Sequence, residues 1–390
     1  MIILKCPEIR FKNDDGNNYP NWEDKKLDNV FKFYKGKGIS KIELSEEGIP
    51  CIIYGELYTK YREVIGVVKS KTNIKKELLF MSEIGDILIP SSGETQKDIA
   101  TASTVMEKNV ALGGDINILR SKETINSPYV SYYLKHIKNI EISKLSQGNS
   151  VVHLYSKQLS NLKIEIPSLE EQQKIGDFFM LLDKRIEQQE QKIALLKDYK
   201  KAMMQKIFSQ KIRFKDENGN DYPDWEEKKF LNIFFSIPSR AYQIFKTEIF
   251  SNGKIPVVDQ GKKKVAGYSN EIEKICDKTP CIVFGDHTTE LKYIDFPFII
   301  GADGTKILRN HIANSTLFLY YLLLENNVEQ EGYKRHFSIL TKKSFDIPMI
   351  KEQEKIASFL SSIDFNIENQ EGILENLKTQ KGVLLHKMFI

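Results

Sequence analysis

At 390 residues, 41% hydrophobic, 28% charged and with a formal net charge of +4, the chain has the composition of an ordinary soluble protein long enough to bury two cores. That balance excludes a collagen-like, low-complexity or extensively disordered chain, and the longest apolar run, TLFLYYLLL at 316–324, falls far short of the ~20 residues that span a bilayer. The weak positive excess permits nucleic-acid binding without requiring it, because steering depends on where charge sits rather than on its sum.

The first ten residues, MIILKCPEIR, meet charge and proline where a signal peptide needs an apolar core and a cleavage site, so a cytoplasmic protein with no membrane segment is expected. Cys6, Cys51, Cys276 and Cys281 form no C-x-x-C pair. They read as thiols in a reducing compartment, not as a zinc site.

The segment 9–31, IRFKNDDGNNYPNWEDKKLDNVF, returns at 212–234 as IRFKDENGNDYPDWEEKKFLNIF, identical at 14 of 23 positions with an offset of 203. A second block, IPSLEEQQKI at 166–175, returns as IPMIKEQEKI at 347–356, identical at 6 of 10 positions with an offset of 181. The offset falls by 22 (203 minus 181), so the stretch between the blocks is that much shorter in the second half. A period this long marks a tandem pair of domains rather than a solenoid.

Behind the first block comes a basic cluster, Lys35, Lys37 and Lys41. The runs CIIYG (51–55) and GDILIP (85–90), bounded by Gly and Pro, suit strands, and SPYVSYYLKHI (127–137) suits a short buried helix. After Pro167 an apolar seam runs through Ile175, Phe179, Leu182, Ile186, Ile193, Leu196, Met203 and Ile207 at the 3.5-residue period of a coiled coil, interrupted by Gln189 and Lys200. The second half repeats the plan: a basic cluster at Lys262, Lys263 and Lys264, strands at CIVFGD (281–286) and FPFIIG (296–301), and a helix in STLFLYYLLL (315–324). INILR (116–120) is matched by TKILR (305–309). Its last helix carries the same seam displaced by 181, including the interruptions, now Gln370 and Lys381.

Two such helices of about 35 residues, roughly 50 Å long, exceed what local packing in a domain of this size needs. They are expected to pack on one another, and a twofold relation between the halves makes them antiparallel. Gln189 and Gln370 would then fix the register, with Lys200 and Lys381 as further polar register positions. The tryptophan blocks, Tyr19-Pro20-x-Trp22 and Tyr222-Pro223-x-Trp225, read as structural pins for a loop.

The duplicated I-P-x-x-x-E-Q-x-K-I block (Ile166, Pro167, Glu171, Gln172, Lys174, Ile175; Ile347, Pro348, Glu352, Gln353, Lys355, Ile356), the Tyr-Pro-x-Trp blocks and the long helix after each variable middle resemble the specificity subunit of type I restriction-modification systems. The resemblance covers essentially the whole chain. It implies an α+β architecture: two mixed α/β target-recognition domains in a tandem pseudo-twofold repeat, joined by two long antiparallel coiled-coil helices. The boundaries expected are recognition domains at 1–166 and 211–347, and spacer helices at 167–210 and 348–390.

The same resemblance implies that each domain reads one half of a split, asymmetric site on double-stranded DNA, with the helices as the ruler between them. Two modification subunits carrying S-adenosylmethionine, and restriction subunits using ATP and Mg, would dock on the repeated frames, with no cofactor in this chain. Base and phosphate contacts come most readily from Lys, Arg and amide side chains in polar loops. The candidates are Lys35, Lys37, Ser91, Ser92, Gln96, Lys97, Gln147 and Asn149 in the first domain. In the second they are Arg240, Lys262, Lys263, His287, Thr288, Lys334, Arg335 and His336.

Catalysis by the chain itself is not expected. It has no Pro-Pro for an adenine-methyltransferase motif, no G-x-x-x-x-G-K-[ST] loop and no H-x-x-x-H pair. Pro223, Asp224, Glu226, Glu227 and Lys228 have the residue types of a nuclease site, but they crowd one short segment, and Asn21 replaces Asp224 in the first copy. A different reading is a duplicated coiled-coil adaptor for protein partners, which predicts binding indifferent to salt and DNA sequence, whereas DNA reading predicts a steep salt dependence.

Overall fold

A computed structural model describes residues 7–148, 151–301, 303–311, 314–332 and 334–389. The chain divides into two compact units: Met1–Glu190 with Gly372–Ile390, and Gln191–Glu371. Each long helix is therefore shared, its first part belonging to one unit and its second part to the other.

In the first unit the strand Glu23–Lys26 pairs antiparallel with Lys163–Ile166, Glu23 opposite Ile166. The way into the domain and the way out lie side by side. The central sheet has the order Phe31–Lys35, Ile116–Ser121, Asp86–Pro90, Ser103–Val105, Val64–Ile65. A second sheet follows the order Leu44–Ser45, Ser70–Thr72, Ile49–Ile52, Ala111–Leu112, Phe80–Met81. The continuous apolar run in Asp86–Pro90 follows from its position, buried along its whole length. Ile87 and Ile89 pack with Tyr129 and Tyr133 of the helix Ser127–His136, while Leu88 turns to the other face and packs with Ile52 and Leu112 of the second sheet. A strand covered on both faces gains nothing from alternating polarity.

The second unit repeats this with fewer strands. Glu226–Lys229 pairs with Ser344–Ile347, Glu226 opposite Ile347. The central sheet is Phe234–Ile237, Thr305–Asn310, Cys281–Gly285, Leu291–Ile294, and the second sheet is Gly267–Ser269, Ile255–Val258, Ile299–Ile300. Four and three strands replace five and five among the described residues, in keeping with the shorter second middle. Ile282 and Phe284 face the helix Thr316–Glu325 through Phe318, and Val283 faces Val258 and Ile300 of the second sheet.

Two expected strands are shorter in the fold. CIIYG gives strand only to Ile52, because Gly55 begins the helix Glu56–Thr59 and the buried Glu56 carboxylate accepts from the Ile53 N–H (3.2 Å). FPFIIG forms strand only at Ile299–Ile300, with Phe298 making an isolated bridge to Cys276.

The long helices are Leu169–Phe208 and Ile350–Phe389, 40 residues each. In the first unit Lys381 pairs with Asp183 (2.6 Å) and Lys378 with Glu190 (2.8 Å), so one helix ascends in number as the other descends. In the second unit Lys200 pairs with Asp364 (2.6 Å) and Lys197 with Glu371 (2.6 Å). The helices are antiparallel. Each second-unit pair is a first-unit pair carried through the repeat, since 183 and 190 plus 181 give 364 and 371, and 381 and 378 minus 181 give 200 and 197.

The seam holds through most of each helix. At its end the more deeply buried position steps by one residue, to Met204 in the first and Leu385 in the second. There the last turns leave the coiled-coil period and pack into a domain core: Met204 and Ile207 into the second unit, Leu385, Met388 and Phe389 into the first.

The repeated block explains itself through buried polar contacts. Glu171, wholly buried, accepts from Arg10 Nε and Nη2 (2.9 and 2.6 Å) and from Trp22 Nε1 (3.2 Å). Glu352 does the same with Arg213 (3.2 and 2.8 Å) and Trp225 (3.2 Å). Gln172 donates to the Pro167 carbonyl (2.8 Å) and accepts from the Asn126 N–H (3.0 Å), while Gln353 donates to Pro348 (2.8 Å) and accepts from Ser315 (2.9 Å). Asn126 and Ser315 are the N-caps of the domain helices, so one glutamine ties helix start to helix start. Lys174 and Lys355 reach back to the Lys12 and Lys215 carbonyls (3.0 and 2.6 Å). Trp22 lies edge-on to Tyr129 and Phe389, and Trp225 edge-on to Phe318 and Phe208.

Candidate nucleic-acid interface

The central sheet of the first unit has one end where its loops gather. Lys35 pairs with Asn117, Pro90 pairs with Ile116, and the Gly36 N–H donates to the Ile116 carbonyl (3.0 Å). Lys35 and Lys37 are exposed there. Ser91 follows Pro90 around the same edge, its N–H donating to Asp115 (2.7 Å) and its carbonyl accepting from Leu154 (3.0 Å). Ser92–Gly93 pairs with Val152–His153, and Gln147 bridges His153 in both directions (2.9 and 2.7 Å). Ser143 Oγ donates to the Gln96 carbonyl (3.1 Å), which sets the short helix Gln96–Ile99 against the same segment.

The described candidates of the first domain are therefore linked, directly or through these short elements, to one end of the central sheet. Lys35, Lys37, Gln96, Lys97 and Gln147 are exposed on it. Ser91 and Ser92 are buried, and Ser92 Oγ is engaged with His153 Nδ1 (3.1 Å), so these two hold the edge instead of facing a ligand. Asn149 lies outside the described residues.

The second unit gathers the equivalent end. Ile237 pairs with Ile307, Gly285 with Thr305, and the Asp286 N–H donates to Gly304 (2.8 Å). Arg240 is in the turn directly after Ile237 and is exposed. Gln260 accepts from the His287 N–H (3.3 Å) and, through its carbonyl, from Thr288 Oγ1 (2.6 Å), which brings Lys262 and Lys263, both exposed, beside the 286–288 loop. His287 and Thr288 are half-buried.

Gln330 and His336 both bond to this loop, and here one expectation is corrected. His336 is wholly buried: its Nε2 accepts from the Glu331 N–H (3.0 Å), which leaves Nδ1 to donate to the Asp286 carbonyl (3.0 Å). With both ring nitrogens used inside the fold, it positions the loop and does not read a ligand. Lys334 and Arg335 are exposed, and Lys334 hydrogen-bonds Glu331, which lowers that carboxyl below its ordinary value and offsets the lysine's own charge.

Residues absent from the candidate set share the first end. His153 stacks with Tyr155 (centroids 6.4 Å apart), and Tyr155 is 54% exposed. An exposed aromatic beside lysines and amides suits contact with a base face or a thymine methyl. The only sequence signal was the alternation of His153 and Tyr155 just beyond Gln147.

Gly36 separates the two leading lysines for a steric reason. A Cβ there would stand 1.9 Å from the Gly113 carbonyl oxygen, a backbone atom that cannot rotate away. Gly36→Ala is expected to destabilise the first unit by about 3 kcal/mol, the upper part of the overpacking range, and to displace Lys35 and Lys37 together. Urea unfolding checks it against Gly66→Ala, where nothing lies within 4 Å and little change is expected. Equal stability of the two variants would contradict the packing.

Among the described residues no helix is long and apolar enough to cross a membrane. Cys51, Cys276 and Cys281 are free and buried, and burial pushes the Cys51 thiol up to about 11 and that of Cys281 to about 12, away from the reactive thiolate. Cys6 lies outside the described residues.

Residues 19–198 and 222–379 match the family described as type I restriction modification DNA specificity domain. The chain is 26% identical over 423 residues to the type I restriction enzyme MjaVIII specificity subunit of Methanocaldococcus jannaschii, covering 99% of this chain and 96% of the relative. The crystal structure of a type I restriction-modification S subunit from M. genitalium superposes with a TM-score of 0.67 at 17% identity, covering 99% of both chains. A chain from a structural study of complex assembly and conformational transition in the type I R-M system superposes with a TM-score of 0.54 at 16% identity, covering 95% of this chain and 98% of that one.

Proposed function

The chain belongs to the type I restriction modification DNA specificity family, and on that premise we propose that its two units read the two halves of a split, asymmetric site on double-stranded DNA. It is the DNA-recognition part of a restriction-modification complex. The observation that carries the reading is the duplication of one sheet end: the same end of the central sheet gathers exposed Lys and amide side chains in the first unit and exposed Lys and Arg side chains in the second, on loops that differ between the copies. A repeated scaffold with divergent loops suits two different half-sequences.

Within this reading the partners are two modification subunits bringing S-adenosylmethionine, and restriction subunits bringing ATP and Mg. They act with this chain in the cytoplasm, and the chain contributes recognition rather than bond chemistry. Their docking surface on the frames excludes the repeated Glu171, Gln172, Glu352 and Gln353, which are buried and serve the fold. Gln189 and Gln370 keep their proposed role at the register of the helices.

The test is co-expression with the neighbouring modification subunit, followed by mapping of methyladenine in the host DNA. A split motif with two defined halves and a fixed gap is expected; sequence-independent or absent methylation from an assembled complex would turn the reading toward a protein adaptor. In the same complex, Lys35→Ala and Lys37→Ala are each expected to weaken DNA binding and to reduce the slope of log affinity against log salt by about 1, with both half-sequences unchanged. An unaltered slope would remove these lysines from the phosphate contacts.

A further inference from the structure

The seam lysines interrupt the apolar repeat, and the fold gives them a definite partner set. In the first unit Lys381 of the second long helix pairs with Asp183 of the first (2.6 Å) and lies over the Tyr132 ring (5.2 Å), while Tyr132 on the domain helix donates its hydroxyl to the other Asp183 oxygen (2.5 Å). In the second unit Lys200 pairs with Asp364 (2.6 Å) and lies over Tyr321 (5.1 Å), and Tyr321 donates to Asp364 (2.7 Å). Each triad ties together three elements: both long helices and the recognition domain's own helix.

These sites are partly withdrawn from water. Lys381 and Asp183 are 12% and 13% exposed, and Lys200 and Asp364 are 18% and 31% exposed. Burial first, and then the neighbouring aspartate, pushes both phenols well above their ordinary range, so each remains a hydrogen-bond donor. An apolar seam alone does not specify register, because a slide of one heptad places apolar residues against apolar residues again. A charged side chain that must meet its opposite charge beside one aromatic ring does specify it.

We propose that the two Lys–Asp–Tyr triads, Lys381–Asp183–Tyr132 and Lys200–Asp364–Tyr321, are positioning devices that fix the register of the long helices, and with it the gap between the DNA half-sites. The proposal rests on the DNA-reading function above. A heptad slip displaces one helix by about 10 Å, equivalent to roughly three base pairs of B-DNA. The triads oppose that slip because it would separate two partly buried lysines from the aspartates they pair with. Specification of the gap thus lies in particular side chains of the helices as well as in helix length.

The experiment maps methyladenine with the full chain and its modification subunit, comparing the unaltered protein, Lys200→Glu/Lys381→Glu, and the charge swap of both pairs, Lys200→Glu/Asp364→Lys/Lys381→Glu/Asp183→Lys. Unaltered protein gives one gap. The double glutamate variant is expected to keep both half-sequences while spreading methylation over gaps about three base pairs apart, and the swap to restore a single gap. One unchanged gap in an assembled double glutamate variant overturns the proposal while leaving the function intact; no split motif from the unaltered protein overturns the function itself. Should the double glutamate variant fail to assemble, Tyr132→Phe/Tyr321→Phe decides, since it removes only the hydroxyls. Secondary gaps support the device, and a single gap with full yield counts against it.

Discussion

Replacing Glu171 by alanine is expected to destabilise the first unit by about 3–5 kcal/mol, and Glu352→Ala the second by a similar amount, because each removal takes a wholly buried carboxylate away from a guanidinium that is itself largely withdrawn from water. Glu171 is wholly buried, and its two oxygens take both Arg10 contacts and the Trp22 indole N–H. Arg10 itself is only 12% exposed, so solvent cannot replace the lost partner. The companion variant Glu171→Leu/Arg10→Met removes both charges and is expected to recover most of the loss, since a buried ion pair exchanged for well-packed apolar groups is often close to neutral. Urea unfolding followed by circular dichroism measures both variants. Loss below about 1 kcal/mol in the single variant, the size of a surface ion pair, would falsify the account of this block as the fold's internal clamp.

That clamp shows which features sequence reasoning reaches and which it does not. The repeat, the seam and its antiparallel consequence were legible, because a duplicated pattern carries its own symmetry and Lys200 and Lys381 stand at matched positions. Glu171 and Gln172 were legible as a motif but not as buried residues. Their partners, Arg10 and Asn126, lie 161 and 46 residues away in the chain, and no local pattern announces such a pairing. The candidate interface divides in the same way. Lys35, Gln96, Lys97, Gln147, Arg240, Lys262 and Lys263 are exposed at the two sheet ends because charged and amide side chains in turns are seldom buried. His336, Ser91 and Ser92 share that polar-loop signature but are buried: a loop needs internal hydrogen bonds, which the His336 ring and Ser92 Oγ supply, while Ser91 is held through its backbone bonds to Asp115 and Leu154. CIIYG failed as a full strand for a related reason: the carboxylate of Glu56, one residue beyond it, turns inward to accept from Ile53.

The two units also differ in a way that acid should expose. Next to the first triad lies the buried Glu63, hydrogen-bonded to His136, 3.4 Å from Lys381 and 3.9 Å from Lys135. Asp183 and Arg62 complete the charged set, Arg62 standing 3.8 Å from Asp183 and 2.6 Å from Glu190. Burial by itself would raise the Glu63 carboxyl; the His136 hydrogen bond and the charges of Lys135 and Lys381 outweigh it and hold the group well below its ordinary value of 4.5. A carboxyl depressed on folding contributes stability that is complete above its unfolded value and is lost as pH falls through the folded one. The first unit is therefore expected to lose stability progressively below about pH 4.5, beyond the loss it shares with the second, where Lys200, Asp364 and Tyr321 repeat the triad without a buried glutamate among its described contacts. Trp22 and Trp225, one in each unit, allow the comparison: emission of Trp22 in a Trp225→Phe background reports the first, and the reciprocal variant the second. Glu63→Gln should cost the first unit about 3 kcal/mol near neutral pH, the lower end of the range for removing one partner of a buried pair, and should flatten its acid slope toward that of the second. If the Trp22 transition keeps its acid slope in Glu63→Gln, the sensitivity resides in Asp183 and the other carboxylates of the helix pair instead.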